Sequence, residues 1–150
     1  MLRSEKLKFA VRHVVPPATI VAVTSFFVFS YFPLTFEGFA LVYWSLSIVA
    51  FPLNYKAKRW TDYVIKHYGP QMEKNPVMRE MYEKKNLKDY WIGWLGMYII
   101  LFIGYIGGVN ARKFLLFPNM PLIFPSAIFG IILYDFLNDF LHLRKLRKKG

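Results

Sequence analysis

The sequence predicts an all-α, polytopic membrane protein with four transmembrane helices. Hydrophobic residues make up 55% of its 150 residues, aromatic residues make up 19%, and the mean hydropathy is +0.28. A soluble domain of this length rarely carries such a proportion of apolar side chains. Four stretches lack any charged residue, and each is long enough to cross roughly 30 Å of hydrocarbon as a helix. They are residues 14–36, 38–55, 90–111 and 114–134.

Helices are expected because backbone amides in lipid must be satisfied within the segment, and no alternating barrel pattern is present. We place the spans at 14–34, 38–55, 90–110 and 116–141, within one membrane domain of residues 1–150. The first apolar run is longer than a signal-peptide core, and no small-x-small cleavage site follows it. We therefore expect the first span to be retained.

Prolines and glycines set the expected ends of the elements. The first span is predicted to begin near Pro16 and Pro17, which a first helical turn tolerates, and to end near Pro33. Pro52 removes one backbone hydrogen bond from the second span and is predicted to kink it near the membrane surface.

The segment 56–88 is predicted to be an amphipathic helical hairpin on the cytoplasmic surface. Trp60, Tyr63 and His67 recur at spacings of three and four, which is typical of a helix with one apolar side. A Gly-Pro pair then interrupts the pattern, and Asn75 followed by proline predicts the start of a second helix. The hairpin is expected to lie against the membrane or a partner.

The distribution of basic residues predicts the orientation. Eighteen of the twenty Lys and Arg residues lie before the first span, between the second and third, or after the fourth, and only Arg112 and Lys113 lie elsewhere. The positive-inside rule then places both termini and the middle segment in the cytoplasm, with the chain integral to the plasma membrane. The net charge of +11 is explained by the bilayer and its anionic headgroups, so no nucleic-acid partner is expected.

In the third span, Gly104 and Gly108 form a small-x-x-x-small pair that lets two helices approach closely. Such a pair serves either as a dimer seam or as a packing site within one chain. We favour packing within the chain, and both readings stay open.

The last span ends in a polar face. Asp135, Asn138, Asp139 and His142 are separated by three, four and seven residues, so their side chains project from one side of a helix. Carboxylates one turn apart repel each other, which calls for a positive partner. The leading candidate is a basic side chain from the same end of the molecule, namely Arg12, Lys56, Lys58 or Arg59. The other candidates are a divalent metal, and a transported cation, proton or substrate amine.

The metal hypothesis assigns Asp135, Asp139 and His142 as ligands of a divalent cation. Further side chains could support such a site: Asp62, His67, Glu73 and Asp89. Cysteine is absent, which excludes thiolate nucleophiles and cysteine-based zinc sites. No Gly-x-Ser, His-Glu-x-x-His or phosphate-binding glycine loop occurs, so whether the protein is an enzyme stays open.

The stretch TDYVIKHYGPQMEKNPVMRE, residues 61–80, resembles a pattern in small, uncharacterised prokaryotic four-helix membrane proteins, a domain family of unknown function. The shared order is Asp62, a Tyr-Gly pair, and Glu73-x-Asn75-Pro76. The segment YDFLNDF is similar to the polar last helix of those proteins. The resemblance implies a compact helical membrane protein in which Asp62, Glu73 and Asn75 matter, and it implies no reaction. This chain departs from the pattern because Asp62 follows the basic KAKRW and is expected outside the hydrocarbon.

Three functional hypotheses follow. The leading one is a structural or accessory membrane protein that acts by assembly, as a homo-oligomer or as a subunit of a larger complex. The alternative is a cytoplasmic-face enzyme or binding protein for a phosphorylated or lipid substrate that uses a divalent cation, and the third is a small ion or proton carrier. The single glutamine, the absence of cysteine and the abundance of lysine also indicate a thermophilic, archaeal source.

Overall fold

A computed structural model describes residues 2–32, 34–84 and 88–148, with side chains from Ser4 onward. These residues form helices and turns, and the described ranges contain no strand. The α-helices are α1 (Leu2–Phe9), α2 (Val15–Tyr31), α3 (Phe36–Tyr68), α4 (Pro76–Glu83), α5 (Lys88–Ala111) and α6 (Ile123–Arg147). A π-helical turn, Ala10–Val14, joins α1 to α2, and 3-10 turns occupy Pro70–Met72 and Met120–Leu122.

Four of the helical segments are long and apolar enough to cross a membrane. They are Ser4–Tyr31, Phe36–Tyr68, Lys88–Ala111 and Met120–Arg147, and they contain 24 to 33 residues each. Their length and composition confirm the predicted four-helix, all-α membrane class and are compatible with a membrane location.

The second long helix differs from its prediction. α3 continues without a break through Pro52 to Tyr68, so residues 56–68 extend the second long helix and do not begin a helix of their own. One proline removes a single backbone hydrogen-bond donor, and the helix continues on both sides of it. The second predicted arm is present as α4, where the Asn75 side chain accepts hydrogen bonds from the amides of Val77 and Met78. The predicted end of the first span at Pro33 lies outside the described residues, and α2 ends at Tyr31.

α6 lies between α2 and α3 and makes its closest backbone approaches to these two helices. Gly130 permits the approach to α2, because a Cβ atom added there would lie 2.5 Å from a Val21 methyl group. α5 lies at the edge of the bundle and is joined to α3 mainly through large aromatic side chains, among them Tyr43, Trp44 and Tyr105.

The two ends of the bundle differ in charge. At one end, Arg112 donates a hydrogen bond of 2.8 Å to the Leu34 carbonyl, and its guanidinium lies over the Phe39 ring. At the other end, Val64, Leu143 and Leu146 form a buried cluster between α3 and α6. The second end also carries α1, the described part of the segment between α3 and α5, and the end of α6, so most of the basic side chains that the structure describes lie there. We call it the basic end.

Candidate functional site

The predicted polar face of α6 faces the turn between α3 and α4. Asp135 and Asp139 are partly exposed on α6, and both interact electrostatically with Glu73. Glu73 is only 5% exposed, although it belongs to a connecting turn. The structure therefore brings three acidic side chains of the predicted set to one region at the basic end.

The hydrogen bonds here fix the turn to the helix. His142 Nε2 lies 2.9 Å from the Met72 carbonyl oxygen, and it must carry the hydrogen because a carbonyl can only accept. Glu73 Oε1 accepts a hydrogen bond of 2.8 Å from the Asn75 amide. His142 and Glu73 thus hold the turn against α6 and start α4, which is a structural role that the sequence did not predict.

The expected basic partner does not pair with the aspartates. Lys58 forms its ion pair with Asp62, at 2.8 Å within α3. Within the described ranges no ion pair involves Asp135 or Asp139, and the basic residue that acts electrostatically on Asp139 is Lys74. The sequence missed Lys74 because nothing in the spacing shows that the turn folds back onto α6.

The remaining predicted residues lie apart from this region or point elsewhere. His67 is exposed on α3, where its ring stacks on Tyr63 and its Nδ1 lies 2.9 Å from the Tyr63 carbonyl. Asn138 is half-buried on α6, and Asp89 is exposed in the first turn of α5. Among the residues that the structure describes, no group of three His, Asp or Glu side chains is placed to hold a metal ion. The predicted metal site therefore gains no support from the arrangement of its ligands.

A second candidate site lies on α5, whose two sides differ. Gly104 and Gly108 face the protein: a Cβ atom at Gly104 would lie 2.9 Å from the Tyr43 hydroxyl, and one at Gly108 would lie 2.8 Å from Pro121 Cβ. These contacts agree with packing within the chain, the reading that the sequence favoured for this pair.

Three other glycines of α5 face away from the protein. A Cβ atom added at Gly93, Gly96 or Gly107 would meet no atom within 4 Å, whereas every other described glycine has such a neighbour. Ile100 and Ile103, which are 55% and 62% exposed, lie between them. The five residues recur at spacings of three, four, three and four, and we call them the α5 seam.

The seam pattern is that of a helix that packs along a narrow stripe against a second helix. The spacing of four at Gly104 and Gly108 matches the familiar small-x-x-x-small pattern, whereas Gly93, Gly96 and Gly107 do not form such a pair. The alternation of three and four from Gly93 to Gly107 is the signal that could have identified the outer side.

Comparisons with known proteins identify no relative. No family model matches the chain, no curated protein matches it, and no solved structure matches its fold. The similarity of residues 61–80 to small prokaryotic four-helix membrane proteins therefore remains a prediction.

Proposed function

We propose that this protein acts by assembly: two copies associate in the membrane along the α5 seam, with the basic end of each copy in the cytoplasm. The observation that carries the proposal is the outer side of α5. Three glycines without any neighbour in the chain alternate there with two exposed isoleucines at the spacing of a helix–helix seam.

The physical argument starts from the cost of glycine in a helix. Each glycine in a helix interior is less favourable than alanine by about 1 kcal/mol. Gly104 and Gly108 offset that cost by allowing close packing inside the chain, but Gly93, Gly96 and Gly107 allow none there. In lipid, where apolar side chains gain little by leaving the solvent, small residues promote helix association because they let the backbones approach.

The seam also has the shape that a helix pair requires. Spacings of three and four keep one stripe facing a partner at a crossing angle of about +20°. No charged residue occurs in α5 between Asp89 and the end of the helix at Ala111, so the seam can lie entirely within hydrocarbon. Two copies of the same stripe are self-complementary, since each isoleucine can pack over a glycine of the partner.

The proposed orientation rests on charge and is tested separately. The positive-inside rule supports a cytoplasmic basic end, where α1, α4 and the end of α6 lie. Because the chain contains no cysteine, a single introduced cysteine gives an unambiguous label. In intact cells a membrane-impermeant maleimide should label Lys113→Cys and leave Lys145→Cys unlabelled. The opposite result would reverse the orientation.

Subunit counting tests the assembly. Single-molecule photobleaching in nanodiscs should give two subunits for the unmodified protein and one for the double variant Gly93→Leu/Gly107→Leu, because two leucines would hold the backbones apart. Ser45→Leu is the matched control, since Ser45 is exposed on α3 away from the seam, and it should remain dimeric. A monomeric unmodified protein, or a dimer that survives both leucines, would contradict the proposal.

A further inference from the structure

An open groove lies between α2 and α6 near the basic end. Its volume is about 280 Å³, and its walls are almost wholly apolar. The lining residues that matter here are Pro17, Ile20, Gly130, Leu133 and Leu137, with Arg12 and Tyr134 at the polar end.

The groove owes its shape to residues that restrict the backbone. Pro16 and Pro17 lack the amide hydrogens that an α-helix would donate to the carbonyls of Arg12 and His13. The chain responds with the π-helical turn Ala10–Val14, in which the Val15 amide bonds to the Ala10 carbonyl. π-Helical turns of this kind frequently occur at functional sites. The turn positions Arg12 at the groove.

Arg12 is an exposed cation that forms no ion pair with any residue that the structure describes. Among the described residues, Lys6, Lys58, Arg79 and Lys84 form ion pairs, but Arg12 forms none. The Tyr134 hydroxyl lies 3.5 Å from His13 Nδ1, which brings a second polar group to the same end of the groove. An unpaired guanidinium beside two groups that can donate hydrogen bonds is suited to a phosphate.

We propose that this groove binds one anionic phospholipid, with an acyl chain along Ile20, Leu133 and Leu137 and the phosphate at Arg12. The apolar walls match an acyl chain, and the single cation lies at the end where the headgroup layer begins. This inference goes beyond the proposed assembly, because the groove lies between α2 and α6 and involves no residue of the α5 seam.

Native mass spectrometry of the detergent-solubilised protein, titrated with phosphatidylglycerol or phosphatidylcholine, tests the proposal. Phosphatidylglycerol should bind more tightly, and Arg12→Gln should weaken its binding about fivefold, the effect of one basic residue near a membrane surface. Arg59→Gln is the matched control, because Arg59 is exposed on α3 outside the groove, and it should change the affinity by no more than about twofold.

Two further probes separate an acyl-chain site from a simple anion site. Leu133→Trp, which fills the groove, should abolish binding of both lipids, and Ile20→Trp replaces it if the first variant does not fold. Glycerol phosphate, which has the headgroup phosphate and no acyl chain, should not compete at equal concentration. Equal weakening by Arg12→Gln and Arg59→Gln, retention of lipid in the filled groove, or competition by glycerol phosphate would each overturn the proposal.

Discussion

The two sides of α5 carry the same kind of residue for different reasons. On the inner side, Gly104 and Gly108 lie against Tyr43 and Pro121, and no larger residue fits without a shift of its neighbours. On the outer side, Gly93 and Gly107 have open space around them. The spacing of small residues in a membrane helix therefore does not show whether they serve folding or association. What decides this is whether each small residue has close neighbours within its own chain.

The inner side is fixed by aromatic packing together with a hydrogen bond. Phe39, Tyr43 and Leu101 are fully buried, and the Tyr43 hydroxyl donates a hydrogen bond of 2.7 Å to the Leu101 carbonyl. A further bond, 3.0 Å from the Tyr98 hydroxyl to the Ser47 carbonyl, joins the same two helices. These contacts leave the outer side of α5 as the surface available for a partner.

The largest effect is expected where leucine replaces an inner glycine. Gly104→Leu and Gly108→Leu should each destabilise the monomer by about 1–3 kcal/mol or more, because the added atoms overpack a filled interface. The midpoint of thermal unfolding in detergent measures this loss. Gly93→Leu and Gly107→Leu serve as matched controls and should not lower the midpoint in a detergent in which the unmodified protein is monomeric, so that loss of the dimer does not contribute. Equal losses on the two sides would remove the distinction between them.

A smaller effect is expected from removal of the buried hydroxyl. Tyr43→Phe should lower the free energy of unfolding by about 1 kcal/mol, because the Leu101 carbonyl loses a donor while the ring remains. Tyr105→Phe alters a neighbouring ring of the same aromatic cluster. Denaturant titration of the two variants compares them, and a Tyr105→Phe loss as large as that of Tyr43→Phe would mean that the hydrogen bond contributes nothing of its own.

The smallest effect is expected at the basic end, where ion pairs attach α1 to α4. Glu80 of α4 pairs with Lys6 and, at 2.5 Å, with Lys84, and these hydrogen bonds lower the pKa of Glu80 from 4.5 to about 2. A lowered pKa in the folded state means that the contribution is fully present above pH 4.5 and is lost as the pH falls towards 2. Salt should weaken this attachment but not the inner side of α5.

Spin labels at Leu7→Cys and Val77→Cys measure the separation of α1 and α4. The distance should be constant from pH 7 to pH 5 and should increase between pH 4.5 and about 2. Because Arg79 of α4 also pairs with Glu5 of α1, at 2.9 Å, Glu80→Gln should reduce this step without abolishing it. Glu83→Gln, a change at an exposed residue of the same helix, should retain the full step. A step that is unchanged in Glu80→Gln would assign the attachment to other groups.

Much of the fold could be predicted because a bilayer restricts the choices. The stretches without charge predict the number of membrane-spanning helices. The side chain of Asn75 caps the start of α4, as its local sequence predicts. A helix beyond Pro52 was predicted, but its continuity with the second span was not, because tertiary packing can retain a helix across a proline that locally favours a break. The surroundings of Asp135 and Asp139 were also missed, because the turn that carries Glu73 and Lys74 reaches α6 only through contacts distant in sequence.

Disulfide scanning along α5 in native membranes tests the α5 seam most directly, because the chain itself contains no cysteine. Single cysteines replace each residue from Ile92 to Gly107, and oxidation traps copies that meet. Cross-linked dimers should peak at Gly93, Gly96, Ile100, Ile103 and Gly107, and should be absent at Leu101, which is buried within the chain. Uniformly weak cross-linking, or a maximum on another side of the helix, would contradict assembly through this seam.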